Sequence, residues 1–214
     1  MTSLQKWGKS VRTTIPVMAG YLVLGAGFGI LLRTRGYGLG WALAMSAFIY
    51  AGSMQYVAID LLTGGASLLT TAVTTLLVNA RHLFYGISML ERYRAAGRYA
   101  PYLIFSLTDE TYSLVAARED LTGAECFRIS LLDQLYWVLG TALGSLAGAY
   151  LDFNTTGIDF SLTALFLTVF TEQWLETKDH APALIGLGVS IVCRLLFGAD
   201  SFLLPTMGGM LCCL

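Results

Sequence analysis

Charge is scarce in this sequence: 13% of its 214 residues are Asp, Glu, Lys or Arg, while 56% are hydrophobic. A soluble domain carries about a quarter charged residues, so the shortage excludes a surface built for water. The net charge of -1 provides no basic field for nucleic acid and no polybasic anchor for a membrane surface. No Gly-x-x-x-x-Gly-Lys-Ser/Thr loop occurs, so no nucleotide site is legible. The four cysteines, Cys126, Cys193, Cys212 and Cys213, form no Cys-x-x-Cys pair, which excludes the usual zinc and dithiol patterns. They read as buried apolar thiols, and the sequence calls for no metal or other cofactor.

What is present is apolar length. Runs of about 17 to 25 residues are long enough to cross a bilayer as helices, and residues 14–32, 41–62, 67–90, 131–151, 158–175 and 181–197 pass that ruler. Residues 101–117 are shorter and carry Asp109 and Glu110 near the middle, so this segment reads either as a span or as a broken, re-entrant piece. Residues 202–214 fall below spanning length. The fold class predicted is therefore all-α, a polytopic transmembrane helix bundle of about seven membrane segments. The connections leave no room for a soluble domain, and residues 1–214 read as a single membrane domain. The basic stretch before the first run has no small-residue cleavage site after it, so that run reads as a retained span. If three spans separate them, Lys6, Lys9 and Arg12 fall opposite Arg92, Arg94 and Arg98, and sidedness stays open.

Laid on itself at an offset of about 118 residues, the chain shows shared landmarks. Gly25-Ala26-Gly27-Phe28-Gly29 parallels Gly144-Ser145-Leu146-Ala147-Gly148, and Ser53-Met54-Gln55-Tyr56 parallels Thr171-Glu172-Gln173-Trp174. Units of three helices, 14–90 and 131–197 joined by 101–117, fit a common transporter plan with the site where the units meet. Gly25 and Gly29, and Gly140, Gly144 and Gly148, lie four apart on one helix face and read as packing seams. The alternative is that such glycines, with Pro16, let a helix unwind toward a ligand.

An ionisable residue at mid-span costs about 2.5–3.5 kcal/mol on insertion scales. Arg81, His82, Asp109, Glu110, Asp133 and Glu172 all fall there. Uncompensated they would oppose insertion, so they are expected to face one another or a wet cavity, with Arg81 as counter-charge to Asp109 or Glu110. Asp60 and Arg194 lie near segment ends and read as snorkelling side chains. Ser53, Gln55, Asn79, Thr108 and Gln173 add uncharged polar groups at matching depth. Such a substrate or ion pathway would suit a zwitterionic amino acid, its carboxylate on Arg81 or a broken-helix N-terminus and its ammonium on Asp109, Glu110 or Glu172. Phe28, Phe48, Met54, Tyr56 and Phe84 are expected as apolar walls.

The ordered set Ala51-Gly52-Ser53-Met54-Gln55-Tyr56, Asn79-Ala80-Arg81-His82-Leu83-Phe84-Tyr85 and Thr108-Asp109-Glu110-Thr111-Tyr112 resembles the AzlC-type branched-chain amino acid permeases. Pro16 with the glycine-rich stretch before it and Phe170-Thr171-Glu172-Gln173-Trp174 after it extend the likeness over most of the chain. The resemblance implies export of branched-chain or similar small apolar amino acids across the bacterial inner membrane, by a large subunit working with a small AzlD-type membrane subunit. Protons are the coupling ion expected from the buried titratable groups. Two other readings stand beside it. One is an intramembrane hydrolase with Ser53 as nucleophile and His82 as base, disfavoured because Arg81 adjoins His82 and no Gly-x-Ser-Gly occurs. The other is a structural membrane subunit with no substrate path of its own.

Overall fold

The computed structural model describes residues 2–118, 120–150, 177–198 and 202–213, with isolated positions between 157 and 175. Residues 158–175, expected as a span, fall largely outside the described residues, and Glu172 and Gln173 lie outside them entirely. Secondary structure among the described residues is helical throughout: α1 (Ser3–Thr34), α2 (Leu39–Phe48), α3 (Gly52–Thr63), α4 (Leu68–Val78), α5 (Arg81–Ala95), α6 (Ala100–Phe105), α7 (Asp109–Ala116), α8 (Gly123–Tyr150), α9 (Ala181–Phe197) and α10 (Leu203–Cys213).

At 32 residues, α1 is about 48 Å long, more than the roughly 30 Å of hydrocarbon in a bilayer. Among the described residues it contains the one helix that is both long and apolar enough to cross alone, Leu4–Thr34. Apolar side chains cover the exterior, Leu68 being 90% and Leu195 80% exposed, an arrangement that lipid solvates and water does not. Pro16 lies inside α1 without ending it, and the Gly25–Gly29 stretch is continuous helix. Neither unwinds, so the alternative reading of these residues does not describe α1.

Helices α1 and α8 run parallel. Lys9 lies 3.8 Å from Glu125, the Arg128 Nε donates to Ser10 at 3.4 Å, and Gly140 and Gly144 sit on the backbone of Leu22 and Ala26. Facing residues thus differ by about 118, the offset at which the sequence resembles itself. Small residues let the axes close: a Cβ on Gly25 would lie 2.9 Å from the Trp137 carbonyl oxygen, and one on Gly140 2.8 Å from that of Leu22. At Gly29 and Gly144 a Cβ would overlap the carbonyl oxygens of Thr141 and Ala26. Gly148 is less tight, 3.3 Å from Arg33 Cβ. At the start of α8, Thr122 and Glu125 form reciprocal side-chain to backbone bonds, 3.3 and 3.0 Å, a capping box that satisfies two free N–H groups. The Thr122 N–H and hydroxyl hold the Glu125 carboxyl below the usual carboxylate range.

Of the other expected segments, 131–151 lies in the continuous helix α8 as far as Tyr150 and 181–197 coincides with α9, whereas 41–62, 67–90 and 101–117 are interrupted. Residues 41–62 break at Ile49–Ala51, where Tyr50 takes φ 44°, a left-handed conformation that costs a non-glycine residue about 1–2 kcal/mol. The chain then doubles back. Gln55 Nε2 donates to Ser46 at 3.1 Å across the turn, and Tyr56 on α3 reaches the Leu24 carbonyl while α2 descends from Gly38, beside Arg33. Residues 101–117 also turn back, at Ser106–Thr108. Tyr99 packs on Phe127 before the turn, and Arg118 donates to Thr13 after it, so both ends of α6–α7 lie at the N-terminal end of α1. Residues 67–90 pause at Asn79–Ala80 and continue to that same end, where Arg92 donates to the carbonyls of Val115 and Arg118. Two hairpins therefore enter from opposite ends and meet midway, Tyr50 lying 6.5 Å from Phe105 between ring centroids.

This topology changes two expectations. Residues 41–62 return to the end from which they start and are not one continuous span, while 101–117 take the broken, re-entrant form of the two left open. Lys6, Lys9 and Arg12 are consequently not opposite Arg92, Arg94 and Arg98 but at one end with them, together with Arg118 and Arg128. The cysteines divide as well: Cys126 and Cys193 are buried, whereas Cys212 and Cys213 are exposed.

Close approach of α1 and α8 yields a direct test. Gly144→Ala is expected to lower stability by about 1–3 kcal/mol, the usual cost of overpacking, read as a fall in the thermal unfolding midpoint of the detergent-solubilised protein. Gly20→Ala, whose Cβ would meet nothing within 4 Å, should leave the midpoint level or higher. Equal midpoints for the two variants would contradict the packed seam.

Candidate functional site

Three chain breaks come together where the hairpins meet, and the polar residues at membrane depth sit on them. Each break leaves half-helices of 6 to 15 residues, whose unpaired N–H and carbonyl groups need partners inside the protein. Helices α3, α5 and α7 all begin here, with Ser53, Arg81 and Asp109 in their first turns. Asp109 and Glu110 complement the positive end of α7. Arg81 opposes the dipole of α5, and its compensation is external: Nη1 lies 2.6 Å from Asp109 Oδ2, and Nη2 donates to Ser53 Oγ at 2.9 Å. One guanidinium thus ties together the starts of three half-helices. Arg81 Nε and Asp109 Oδ1 are buried without a hydrogen-bond partner among the described residues.

Beside this triad lies an open-sided cavity of about 620 Å³, lined at the breaks by Ile49, Tyr50, Ala51, Asn79, His82, Phe105 and Leu107 and farther along by Leu83, Ile87, Leu90, Tyr93, Arg94 and Ile104, of which Leu83, Ile87 and Ile104 also face the exterior. Its size fits a small ligand with room for water. The walls are mainly aliphatic, and Asn79 Oδ1 is a buried acceptor with no partner among the described residues. His82 Nδ1 is 3.2 Å from the Asn79 carbonyl oxygen, and its ring packs edge-on against Tyr85.

Thr108 and Glu110 belong to a second polar group on the far side of the α6–α7 turn. The Tyr21 hydroxyl lies 2.7 Å from Thr108 Oγ1 and 2.7 Å from Glu110 Oε2. Thr111 Oγ1 is 3.1 Å from Thr108 Oγ1 and 2.9 Å from Asp133 Oδ2. Gln55 goes elsewhere. It is fully buried, accepts from Trp137 Nε1 at 2.9 Å and donates to Ser46, which donates to Thr141. This closed network cements α2, α3 and α8 and does not line the cavity. None of the expected apolar walls lines it either: Phe28, Met54 and Tyr56 are buried core, while Phe48 and Phe84 are exposed.

The sequence-predicted residues therefore fall into four sets. Ser53, Arg81 and Asp109 are bonded to one another, and Asn79 and His82 line the cavity. Thr108 and Glu110 join through Tyr21, and Gln55 is packed away. Tyr21 and Tyr50 carried no sequence signal, being ordinary polar residues of a helix or turn, and Thr111 stood inside a family-like motif without being singled out. Asp133 did carry one, as a carboxyl inside an apolar run, yet only the fold brings it to α7. Among the described residues, no group of three or more His, Cys, Asp or Glu is arranged to hold a metal. Ser53 accepts from Arg81 while His82 faces Asn79, an arrangement with no base on the serine.

The ion pair can be tested by a double-mutant cycle. Its side chains keep 30% and 26% of their surface exposed, so Asp109→Asn or Arg81→Met alone should cost about 1.5–3 kcal/mol by stranding a charge. The combined variant should recover part of that loss. Additive losses in chemical unfolding would sink the pairing.

A family model described as AzlC protein matches residues 16–151, the stretch from Pro16 through both hairpins to the end of α8. The chain is 46% identical over 199 residues to the branched-chain amino acid transport protein AzlC of Bacillus subtilis, covering 91% of this chain and 78% of that protein. It is 44% identical over 195 residues to an uncharacterized membrane protein of Helicobacter pylori, covering 89% and 86% of the two chains. With the inner membrane protein YgaZ of Escherichia coli it shares 26% identity over 216 residues, covering 94% and 85%. No solved structure matches. With the family match extending over more than half its length and these relatives aligned over most of the rest, this chain is a membrane protein of the AzlC family.

Proposed function

We propose that this chain is the large subunit of a secondary transporter that exports branched-chain or similar small apolar amino acids across the bacterial inner membrane, together with a small AzlD-type membrane subunit. The observation that carries the reading is the cavity at the three chain breaks, aliphatic on its walls and polar at one corner. The name of the Bacillus subtilis relative supports the substrate class, and that of the Escherichia coli relative the membrane. An aliphatic side chain would lie against Leu83, Ile87, Ile104 and Phe105. Its ammonium would meet the buried Asn79 Oδ1 and the terminal carbonyls of α4. Its carboxylate would meet the first N–H groups of α3 and α5, where the dipoles favour negative charge. Asp109 holds Arg81 in place at that corner.

In this reading α1, α4–α5 and α8 cross the bilayer, and the two hairpins enter from opposite faces. Residues 14–90 and 131–197 are two repeats joined by 101–117, a plan favoured by the parallel register of α1 and α8. The basic end faces the cytoplasm, because Lys and Arg accumulate on that side of short loops.

For transport, the full chain is reconstituted with the small subunit, and counterflow is measured across the common amino acids. Leucine, isoleucine and valine should exchange. Asn79→Ala and Asp109→Asn should each slow exchange about 10- to 100-fold, the worth of a hydrogen bond to a charged group, and Glu172→Gln is expected to reduce export. Normal exchange in all three variants at equal protein level would reject the site. For orientation, Arg12→Cys, Arg98→Cys and Arg35→Cys are made in a cysteine-free background and probed with an impermeant maleimide. The first two should label only from the cytoplasmic side and the third only from outside; finding Arg12→Cys and Arg98→Cys on different sides would overturn the topology.

A further inference from the structure

Asp133 is fully buried on α8 and takes no part in the cavity, yet a continuous line of oxygens connects it to the half-exposed Glu110. The line runs from Glu110 Oε2 to the Tyr21 hydroxyl, then to Thr108 Oγ1, Thr111 Oγ1 and Asp133 Oδ2, with steps of 2.7, 2.7, 3.1 and 2.9 Å. All four steps are within hydrogen-bond distance, and a fully bonded line carries one proton in each of them. The three hydroxyls supply one proton each. Two carboxylates supply none. Four bonds among three hydroxyls and two carboxyl groups thus require a fourth proton, held by one of the carboxyls.

We propose that Glu110 and Asp133 share one exchangeable proton through the Tyr21–Thr108–Thr111 chain, and that this is the coupling proton of the transporter. With the proton on Asp133, the bonds point Asp133 to Thr111 to Thr108 to Tyr21 to Glu110, which is ionised. Transfer moves the Asp133 proton to Thr111 as the Thr111 proton passes to Thr108, that of Thr108 to Tyr21, and that of Tyr21 to Glu110. Every hydroxyl ends neutral with its bond reversed, and one proton has crossed from a buried carboxyl to a half-exposed one. Reorienting the hydroxyls resets the line.

Its surroundings suit a proton better than a metal cation. The titratable groups facing Asp133 are Glu110 from α7, Tyr50 from the α2–α3 turn and Tyr102 from α6, and the basic Arg81 is already paired with Asp109. Asp133 Oδ1 and the Tyr50 hydroxyl are both buried without a hydrogen-bond partner among the described residues. Tyr50 also lines the cavity, which places the inner end of the line next to the substrate's expected position. Substrate in the cavity and charge on Asp133 are thereby in electrostatic contact, which is what coupling needs.

The coupling role rests on the transport reading above; the shared proton does not, so two independent readouts separate them. The first is the infrared carbonyl band of protonated carboxyls in the purified full chain in lipid nanodiscs. Asp133→Asn and Glu110→Gln should each remove one carboxyl's worth of band, because an amide at either end donates the missing proton. The double variant should remove no more than either alone. Loss of twice that intensity in the double variant, or no loss in one of the singles, overturns the shared proton. Thr111→Val, nearly isosteric, interrupts the line and deprives Asp133 of its donor, so the buried carboxyl should keep its band, and Glu110→Gln added to this variant should no longer remove it, which covers the case in which Asp133→Asn fails to fold. The second readout is transport with the small subunit. Asp133→Asn should lower pH-gradient-driven leucine movement at least tenfold while leaving leucine counterflow within about twofold. Drive by a sodium gradient instead, or equal loss of both activities, overturns the coupling role. Absence of counterflow in the unsubstituted protein would overturn the transport reading and the coupling role with it, while the infrared result would still decide the proton.

Discussion

Backbone contact between α1 and α8 is the interaction on which the remaining structure depends. Glycines at 25, 29, 140 and 144 leave no side chain between the two helices, and the carbonyl oxygens of Leu22, Ala26, Trp137 and Thr141 occupy the space that Cβ atoms would fill. In lipid there is little hydrophobic force to bring helices together, so close packing of this kind has to hold them. The pair then serves as a rigid wall. Thr141 and Trp137 on α8 take the α2–α3 hairpin through Ser46 and Gln55, and Asp133 and Gln134 take the α6–α7 hairpin through Thr111 and Tyr102. Because α1 and α8 are parallel, both hairpins can dock on one wall from opposite ends.

That wall makes the chain breaks tolerable. Interrupting a helix at membrane depth exposes backbone groups that each cost several kcal/mol in hydrocarbon, and Tyr50 adds the strain of a left-handed residue. Side chains meet part of the cost: Ser106 donates to the Tyr102 carbonyl at 2.7 Å, and Thr108 caps α7 through the Thr111 N–H at 3.3 Å. Near the breaks, Asn79 Oδ1, Arg81 Nε, Asp109 Oδ1 and the Tyr50 hydroxyl stay without partners among the described residues. Strain and unsatisfied polar groups are tolerated where function requires them, and Tyr50 and Asn79, which between them carry both, line the cavity.

The membrane class was fully legible in the sequence, since apolar length and charge shortage require no knowledge of tertiary contacts. Glycine spacing gave the right faces of α1 and α8, because a period of four translates directly into a stripe. Topology was not legible. Counting spans by length treats 41–62 as one helix, and nothing local announces that Tyr50 reverses the chain; the reversal is set by Trp137 and Gln55 across the core. One wrong crossing inverted the parity of what followed, which is why two basic clusters that share an end looked opposed. Charge at depth anticipated a pairing of Arg81 with Asp109 or Glu110, and the structure pairs it with Asp109. That signal could not separate Gln55, equally polar and equally deep, because whether an amide faces a cavity or closes a packing network depends on neighbours distant in sequence. Tyr21 lay beyond reach for the converse reason, as a tyrosine in an apolar helix attracts no notice until α7 is laid against it.

Charge balance at the centre links the two polar groups. Arg81 is the one cation there among the described residues, and its short contact with Asp109 commits it to that carboxylate. Glu110 and Asp133 are left without a cation of their own, on adjacent elements around Tyr21 and Thr111. Two uncompensated carboxylates in a region of low dielectric repel each other strongly, and a proton is the smallest agent that removes one of the charges without enlarging the space. A zwitterionic amino acid arriving in the cavity adds no net charge, but it brings an ammonium to the Asn79 corner and so changes which end of the line best tolerates a negative charge. The triad fixes the geometry of the half-helix starts, and the hydroxyl line is left free to respond to what they hold.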